Sequence, residues 1–192
     1  ATLKDDLRNN DLTTLDEVTI HAYLAALRKL FVIEDMTAWN PDLRSKTAIR
    51  TANTRYFVDP SIATAALGLG PNDLLADLNT MGFFFEALAV RDLRVYAEAY
   101  NGKVYHYRDK KELECDAVIH LRDGRYGLIE IKLGGESLIE DGAKTLNQLE
   151  SQIDTTRMKT PACKMVLTAT GKHAYRRKED GVYVVPIGCL RP

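Results

Sequence analysis

Residues 128–133 read Leu-Ile-Glu-Ile-Lys-Leu, a continuous apolar run interrupted by one acid and one base two positions apart. A strand covered on both faces reads as an unbroken apolar run, whereas a half-exposed strand alternates. In a strand, Glu130 and Lys132 point to the same face. Charges in such surroundings are costly unless they are paired or bound to a ligand. The chain must therefore accommodate two charges inside an otherwise apolar strand.

A second charged run lies just upstream, Glu-Leu-Glu-Cys-Asp-Ala-Val-Ile at 112–119, with Asp123-Gly124 in the turn between them. The hairpin loop decides whether Asp116 joins Glu130. A two-residue Asp123-Gly124 loop pairs Arg122 with Arg125 and sets Asp116 opposite Ile131, on the wrong face. A three-residue loop, Arg122-Asp123-Gly124 with Gly124 left-handed, pairs Leu121 with Arg125 and sets Asp116 opposite Glu130. Both loops suit Asp-Gly. In the second register two carboxylates and an ammonium share one face. Two hard oxygen donors are what Mg²⁺ (or Mn²⁺) accepts, completed by waters and a substrate phosphate. Such an ion lowers the pKa of bound water and stabilises phosphoryl charge. Lys132 can orient the attacking water or neutralise the charge that develops.

Glu86 sits in a helical stripe of Phe83, Ala89, Val90 and Leu93, an expensive place for a carboxylate. It is expected to face the sheet and complete the acidic cluster; the alternative is a structural pair with Arg91 or Arg94. Gln148, on the helix after Lys132, is expected to contact a phosphate or position a water. Glu114 shares the face of Asp116, as an extra ligand or an edge charge.

Around this core the order is legible. A helix over 14–30 opens with capping-box spacing at Thr14 and Glu17 and carries an apolar stripe of Ile20, Tyr23, Leu24, Leu27, Leu30 and Phe31. Strands at 31–39 and 55–58 flank a polar, basic stretch over 40–54, the layout of a winged helix with a basic tip. A short helix at 61–67 precedes a boundary near residue 70, marked by Gly68, Gly70 and Pro71. The expected division is 1–70, a winged-helix-like segment, and 71–192, an α/β domain. In the second part a helix runs from Asn72 to about residue 100, with a break at Gly82, and stops at Asn101-Gly102. Strands at 104–108, 112–121 and 125–133, a helix at 137–154 and strands at 165–167 and 182–187 complete an α/β fold with a mixed sheet.

The chain has 192 residues, 26 Lys and Arg against 27 Asp and Glu, and a formal net charge of -1. That excludes bulk polyelectrolyte binding to nucleic acid but leaves local patches. Arg44, Lys46 and Arg50 form one; Lys172, Arg176 and Arg177 form another, between the last two strands. Either can hold a nucleic-acid backbone, which needs only mobile cations at the right distance. Three cysteines without CxxC spacing exclude a disulfide framework and a zinc ribbon and suit a reducing, cytoplasmic setting. No apolar run reaches membrane-span length and no signal peptide is expected. The polar opening at Ala1, without a methionine, reads as a piece of a longer protein.

Glu86, Asp116 and the pair Glu130-x-Lys132 together resemble the PD-(D/E)xK, restriction-endonuclease-like superfamily. The whole chain is similar to the carboxy-terminal domain of bacterial and archaeal AAA-type ATPases catalogued as domain of unknown function 4143. The features that match are Tyr23-Leu24 and Leu27 leading to Trp39, then Tyr56-Phe57-Val58-Asp59, Gly82-Phe83-Phe84-Phe85-Glu86, Glu114-x-Asp116 and Glu130-x-Lys132. The resemblance implies a winged-helix-like piece before a restriction-endonuclease-like mixed sheet flanked by helices. It also implies an ATPase domain upstream. No ATP site is expected within the chain itself, because Gly171-Lys172 is followed by His173 without the loop glycine. No Pro precedes Asp116; Glu114-Cys115 stands there.

Three functions follow as expectations. The first is a Mg²⁺-dependent nuclease domain acting on DNA, with Asp116 and Glu130 as ligands, Glu86 assisting and Lys132 as the catalytic base. The second is an inert DNA- or partner-binding module that reports to the ATPase. The third is an oligomerisation domain with aromatic surface around Trp39 buried between protomers.

Overall fold

The computed structural model describes residues 16–44 and 48–191. The first helix, α1 (Glu17–Lys29), begins where Asp16 accepts the Thr19 N–H at 2.6 Å. Asp16, not the expected Thr14–Glu17 box, caps it; Thr14 lies outside the described residues. Its apolar stripe is mostly left outside. Ile20 is buried, while Tyr23, Leu27, Leu30 and Phe31 are exposed. Strands β1 (Ile33–Met36) and β2 (Thr54–Phe57) pair antiparallel, and helices α2 (Pro60–Leu67) and α3 (Pro71–Ala76) follow.

The long helix α4 (Leu78–Ala99) starts at Asp77, which accepts the Asn79 and Thr80 amides. The break expected at Gly82 therefore falls at Asp77 instead, because a carboxylate there caps a new helix while Gly82 stays inside it. Asn101, with φ 55, turns the chain out of α4. Then come β3 (Gly102–Arg108), β4 (Glu114–Leu121), β5 (Tyr126–Lys132), α5 (Glu136–Gln152), β6 (Cys163–Thr168), β7 (Tyr175–Arg176), β8 (Tyr183–Pro186) and a 3₁₀ turn at Ile187–Cys189. The second part is thus mixed α/β, one six-stranded sheet in the order β3-β4-β5-β6-β8-β7. β3, β4 and β5 form an antiparallel meander; β6 runs parallel to β5, and β8 parallel to β6.

Two cores result from the alternation of strand side chains. Phe85, Ala89, Val90 and Leu93 of α4 pack on Ala117, Ile129, Ile131 and Leu167. Ala143, Leu146 and Leu149 of α5 pack on Val118, Leu128 and Val166 from the other side. β5 lies between both layers, and every one of its residues except Lys132 is buried.

The described residues between β1 and β2, 37–44 and 48–53, do not form a projecting tip. Residues on both sides of 45–47 bond to the outer edge of β3 as a strap. Trp39 N–H donates to His106 O, His106 N–H to Thr37 O, and Arg50 N–H to Arg108 O. Leu43 bridges to Ile153 and Ile49 to Asp109. Trp39 is 3% exposed, set among Tyr107 and Tyr126. It is a core residue, so the exposed aromatic surface expected around it for an oligomer interface is not there. Among the described residues no helix is long and apolar enough to cross a membrane.

Candidate active site

The β4–β5 loop is the three-residue form. Leu121 N–H donates to Arg125 O at 2.8 Å, Gly124 has φ 81, and Asp123 Oδ1 accepts the Arg125 amide. The ladder pairs His120 with Tyr126 through Ala117 with Ile129, so the next step sets Asp116 opposite Glu130. The ladder stops there. On its other side β4 carries a bulge, because Val118 faces Tyr105 while Cys115 faces Tyr107. Two residues, Asp116 and Ala117, thus oppose His106 alone. A bulge unpairs backbone and re-aims side chains. Here it frees the Asp116 carboxylate to take the place of the missing strand partner, accepting the Ile131 N–H on Oδ2 at 2.7 Å.

The same Oδ2 receives the Lys132 ammonium at 3.1 Å, and the ammonium lies 2.6 Å from Glu130 Oε2. Glu130 is 3% exposed, and its Oε1 is buried without a hydrogen-bond partner among the described residues. An orphaned carboxylate oxygen in the interior is rare and costly. Burial, reinforced by the negative charge of Asp116, pushes the Glu130 carboxyl up to about 8 against the pull of Lys132. Burial alone would lower Lys132, but Asp116 and Glu130 outweigh it and hold the amine protonated. An amine held this way neutralises charge beside the two carboxyl groups.

Glu86 arrives from α4, on the side of that helix turned to the β1–β2 hairpin. It pairs with neither Arg91 nor Arg94. Its Oε1 accepts the Tyr56 hydroxyl at 2.6 Å. Arg91 is instead bound to Asp59 and Asp92, and Arg94 to Glu34. Burial, then the charge of Asp116, raises the Glu86 carboxyl, with Lys132 and the Tyr56 hydrogen bond opposing. Glu86 is therefore an electrostatic neighbour of the Asp116–Lys132 pair, as its apolar stripe implied. Glu114 is exposed and bound to Arg108 at 2.7 Å.

Other expected residues are not brought in. Gln148 is exposed and lies off the stripe of Gly142, Ala143, Leu146 and Leu149 that packs on the sheet. The α5 residue over Glu130 is Gly142, where a Cβ would stand 3.3 Å from Glu130 Cβ and 3.2 Å from Val166 Cγ2. Arg177 has a side chain only 10% exposed, bound to Glu140, Glu179 and Asp180, so it is an internal anchor rather than a phosphate contact. Arg176 is exposed, stacked 5.5 Å over Tyr183, and Lys172 is exposed. Arg44 is exposed near Thr155, Arg50 is ion-paired with Glu112, and Lys46 lies outside the described residues. Sequence reasoning missed Gly142 and the role of Tyr56. A glycine inside a helix, about 1 kcal/mol worse than alanine, was the available signal for the first. Tyr56 had none, since its partner is thirty positions away.

The donor set suits a hard divalent cation. Asp116 and Glu130 supply carboxylate oxygens and Glu130 Oε1 lacks a partner. Among the described residues no three Asp, Glu, His or Cys side chains already converge as a ligand group; the Lys132 ammonium stands between the two carboxylates.

Residues 81–190 match the family model described as Domain of unknown function (DUF4143), and residues 2–73 match Domain of unknown function (DUF8612). No curated protein and no solved structure matches the chain.

Proposed function

We propose that this chain, which belongs to the DUF4143 family by a match spanning more than half its length, carries a cation-dependent site for phosphodiester hydrolysis in DNA. The observation that carries the reading is that Asp116, at a bulge, and Glu130 meet at the Lys132 ammonium, with Glu130 Oε1 buried and without a partner among the described residues. Asp116 and Glu130 would hold Mg²⁺ or Mn²⁺, with Glu86 beside them. The ion would supply an acidified water and stabilise phosphoryl charge. Lys132 supplies a fixed positive charge next to the reacting phosphate. Lys172 and Arg176 are exposed cations that would meet a backbone, Arg176 from its place over the Tyr183 ring. The setting we propose is a nuclease-like domain of a larger AAA-type ATPase in a reducing cytoplasm.

One observation favours a second reading. The Lys132 ammonium already contacts both carboxyl groups, at 2.6 and 3.1 Å, so part of the charge of the cluster is compensated without any metal. That suits an inert DNA- or partner-binding module. Calorimetric titration with Mn²⁺, alone and with duplex DNA present, separates the two. We expect binding by the wild type that weakens by more than about tenfold in Asp116→Asn, a variant whose amide oxygen can still accept the Ile131 N–H. A folded wild type that binds no Mn²⁺ even with DNA overturns the hydrolytic reading in favour of the inert module.

A further inference from the structure

Three side chains of α4 hold the β1–β2 hairpin and its exit by polar contacts. Tyr56 donates to Glu86 at 2.6 Å, Asp59 just past β2 holds Arg91 at 2.5 Å, and Glu34 is ion-paired with Arg94. Met36 of the same hairpin is 1% exposed in the α4 core. The hairpin is therefore clamped along one side of the helix. Two of the three contacts are arginine bridges that end away from the acidic cluster. The third ends on Glu86, whose charged neighbours are Asp116, Lys132 and Glu114.

A glutamate in mid-helix has several rotamers open to it, and fixing one costs side-chain entropy. A hydroxyl on a rigid, half-buried ring removes that freedom in advance. The ring of Tyr56 packs at the border of the α4 core and lies 6.0 Å from the Arg94 guanidinium, so it is itself held from two sides. Its hydroxyl takes one oxygen of Glu86.

We infer that Tyr56 is a positioning residue of the acidic site, through which the docked β1–β2 hairpin fixes Glu86 for the cation. This rests on the cation-site reading above. The site then draws on both family-matched regions: Tyr56 lies in the stretch 2–73 and Glu86 in 81–190. Any rearrangement that lifts the hairpin from α4 releases Glu86 and weakens the site without touching Asp116 or Glu130.

The test is a Mn²⁺ titration of the wild type, Tyr56→Phe, Glu86→Gln and the double variant, with thermal melts as the folding control. Tyr56→Phe keeps the ring and removes only the hydroxyl. We expect it to weaken Mn²⁺ binding about tenfold, the scale of lost outer-sphere partners. Glu86→Gln should weaken it at least as much, and adding Tyr56→Phe to Glu86→Gln should cost nothing more. A Tyr56 that merely packs would instead show the same loss in both backgrounds. Arg91→Gln, which loosens the hairpin without touching the Tyr56–Glu86 pair, should move affinity in the same direction and carries the test if Tyr56→Phe does not fold. Wild-type affinity in folded Tyr56→Phe, or in Arg91→Gln if that variant must serve, overturns this inference and leaves the cation site standing. No binding by the folded wild type, with DNA present, removes both.

Discussion

The two ends of the central sheet are made from the same helix and the same strands, yet they are opposites. At one end α4 contributes Glu86, β4 contributes Asp116, and β5 contributes Glu130 and Lys132. At the other end, about 16 Å further along α4, the same elements supply Tyr96, Tyr100, Ile119, Leu121 and Gly127. With Cys163 and Met165 of β6 they line an apolar hollow of about 280 Å³. The apolar end gains from burial, roughly 25 cal/mol for each Å² removed from water. The charged end holds a carboxylate raised to about 8 and an orphaned oxygen, both of which oppose folding. The difference teaches where stability and chemistry are separated in this fold. A site kept against its own folding cost is the pattern expected of a functional site.

Substitutions sharpen the contrast, and the largest loss of stability belongs to the apolar end. At Gly102 a Cβ would stand 2.6 Å from Leu121 Cδ2 and 3.2 Å from the Ala97 carbonyl. Gly102→Ala should destabilise by about 2 kcal/mol in denaturant melts, with Mn²⁺ affinity unchanged; a matched loss of affinity would show that the two ends are not separable.

The charged end should respond with the opposite sign. Between the ordinary value of 4.5 and about 8, the folded chain binds a proton at Glu130 that the unfolded chain does not. Stability therefore falls as pH rises across that window, and the penalty is absent below about 4.5. His106, lowered by burial, acts the other way below 6.5, so the comparison must be made against the wild type at each pH. Glu130→Gln should be about 1–3 kcal/mol more stable than the wild type at pH 8, with the gain shrinking towards pH 5. A Glu130→Gln that melts earlier at pH 8 would mean the ion pair with Lys132 outweighs burial.

Gly142→Ala should give the smallest change. Helix propensity favours alanine by about 1 kcal/mol, and the 3.3 Å approach to Glu130 Cβ opposes it. The net stability change should be near zero while Mn²⁺ affinity drops about threefold through displacement of Glu130. An unchanged titration would show that Glu130 absorbs the added methyl.

What the sequence revealed follows from which signals are local. The apolar run around Glu130 marked a strand with charges in apolar surroundings, and Asp-Gly narrowed its register to two loops, of which one brings Asp116 across. Glu86 was visible because its charge interrupts an i, i+3, i+4 stripe. Gln148 was misplaced because the inward face of α5 is defined partly by Gly142 and Ala143, residues too small to announce a stripe. The α1 stripe was genuine as a pattern but found little to cover, and only Ile20 is buried. The bond from the Ile131 amide to Asp116, the Tyr56 hydroxyl and the bridges of Ala38, Leu43 and Ile49 depend on partners fifteen or more positions away. Isolated long-range bridges have no period, so periodicity could not find them.

The strap along β3 has a consequence for how this sheet behaves among its own kind. A sheet edge is an open row of donors and acceptors that invites a foreign strand. On one side His106, Arg108 and Lys110 of that row are bonded to Trp39, Thr37, Arg50 and Ala48, and on the other the edge is β7, only Tyr175–Arg176 long. The sheet thus presents one side spoken for along half its length and another too short to recruit a neighbour, which works against a wide, strongly apolar sheet templating its own aggregation.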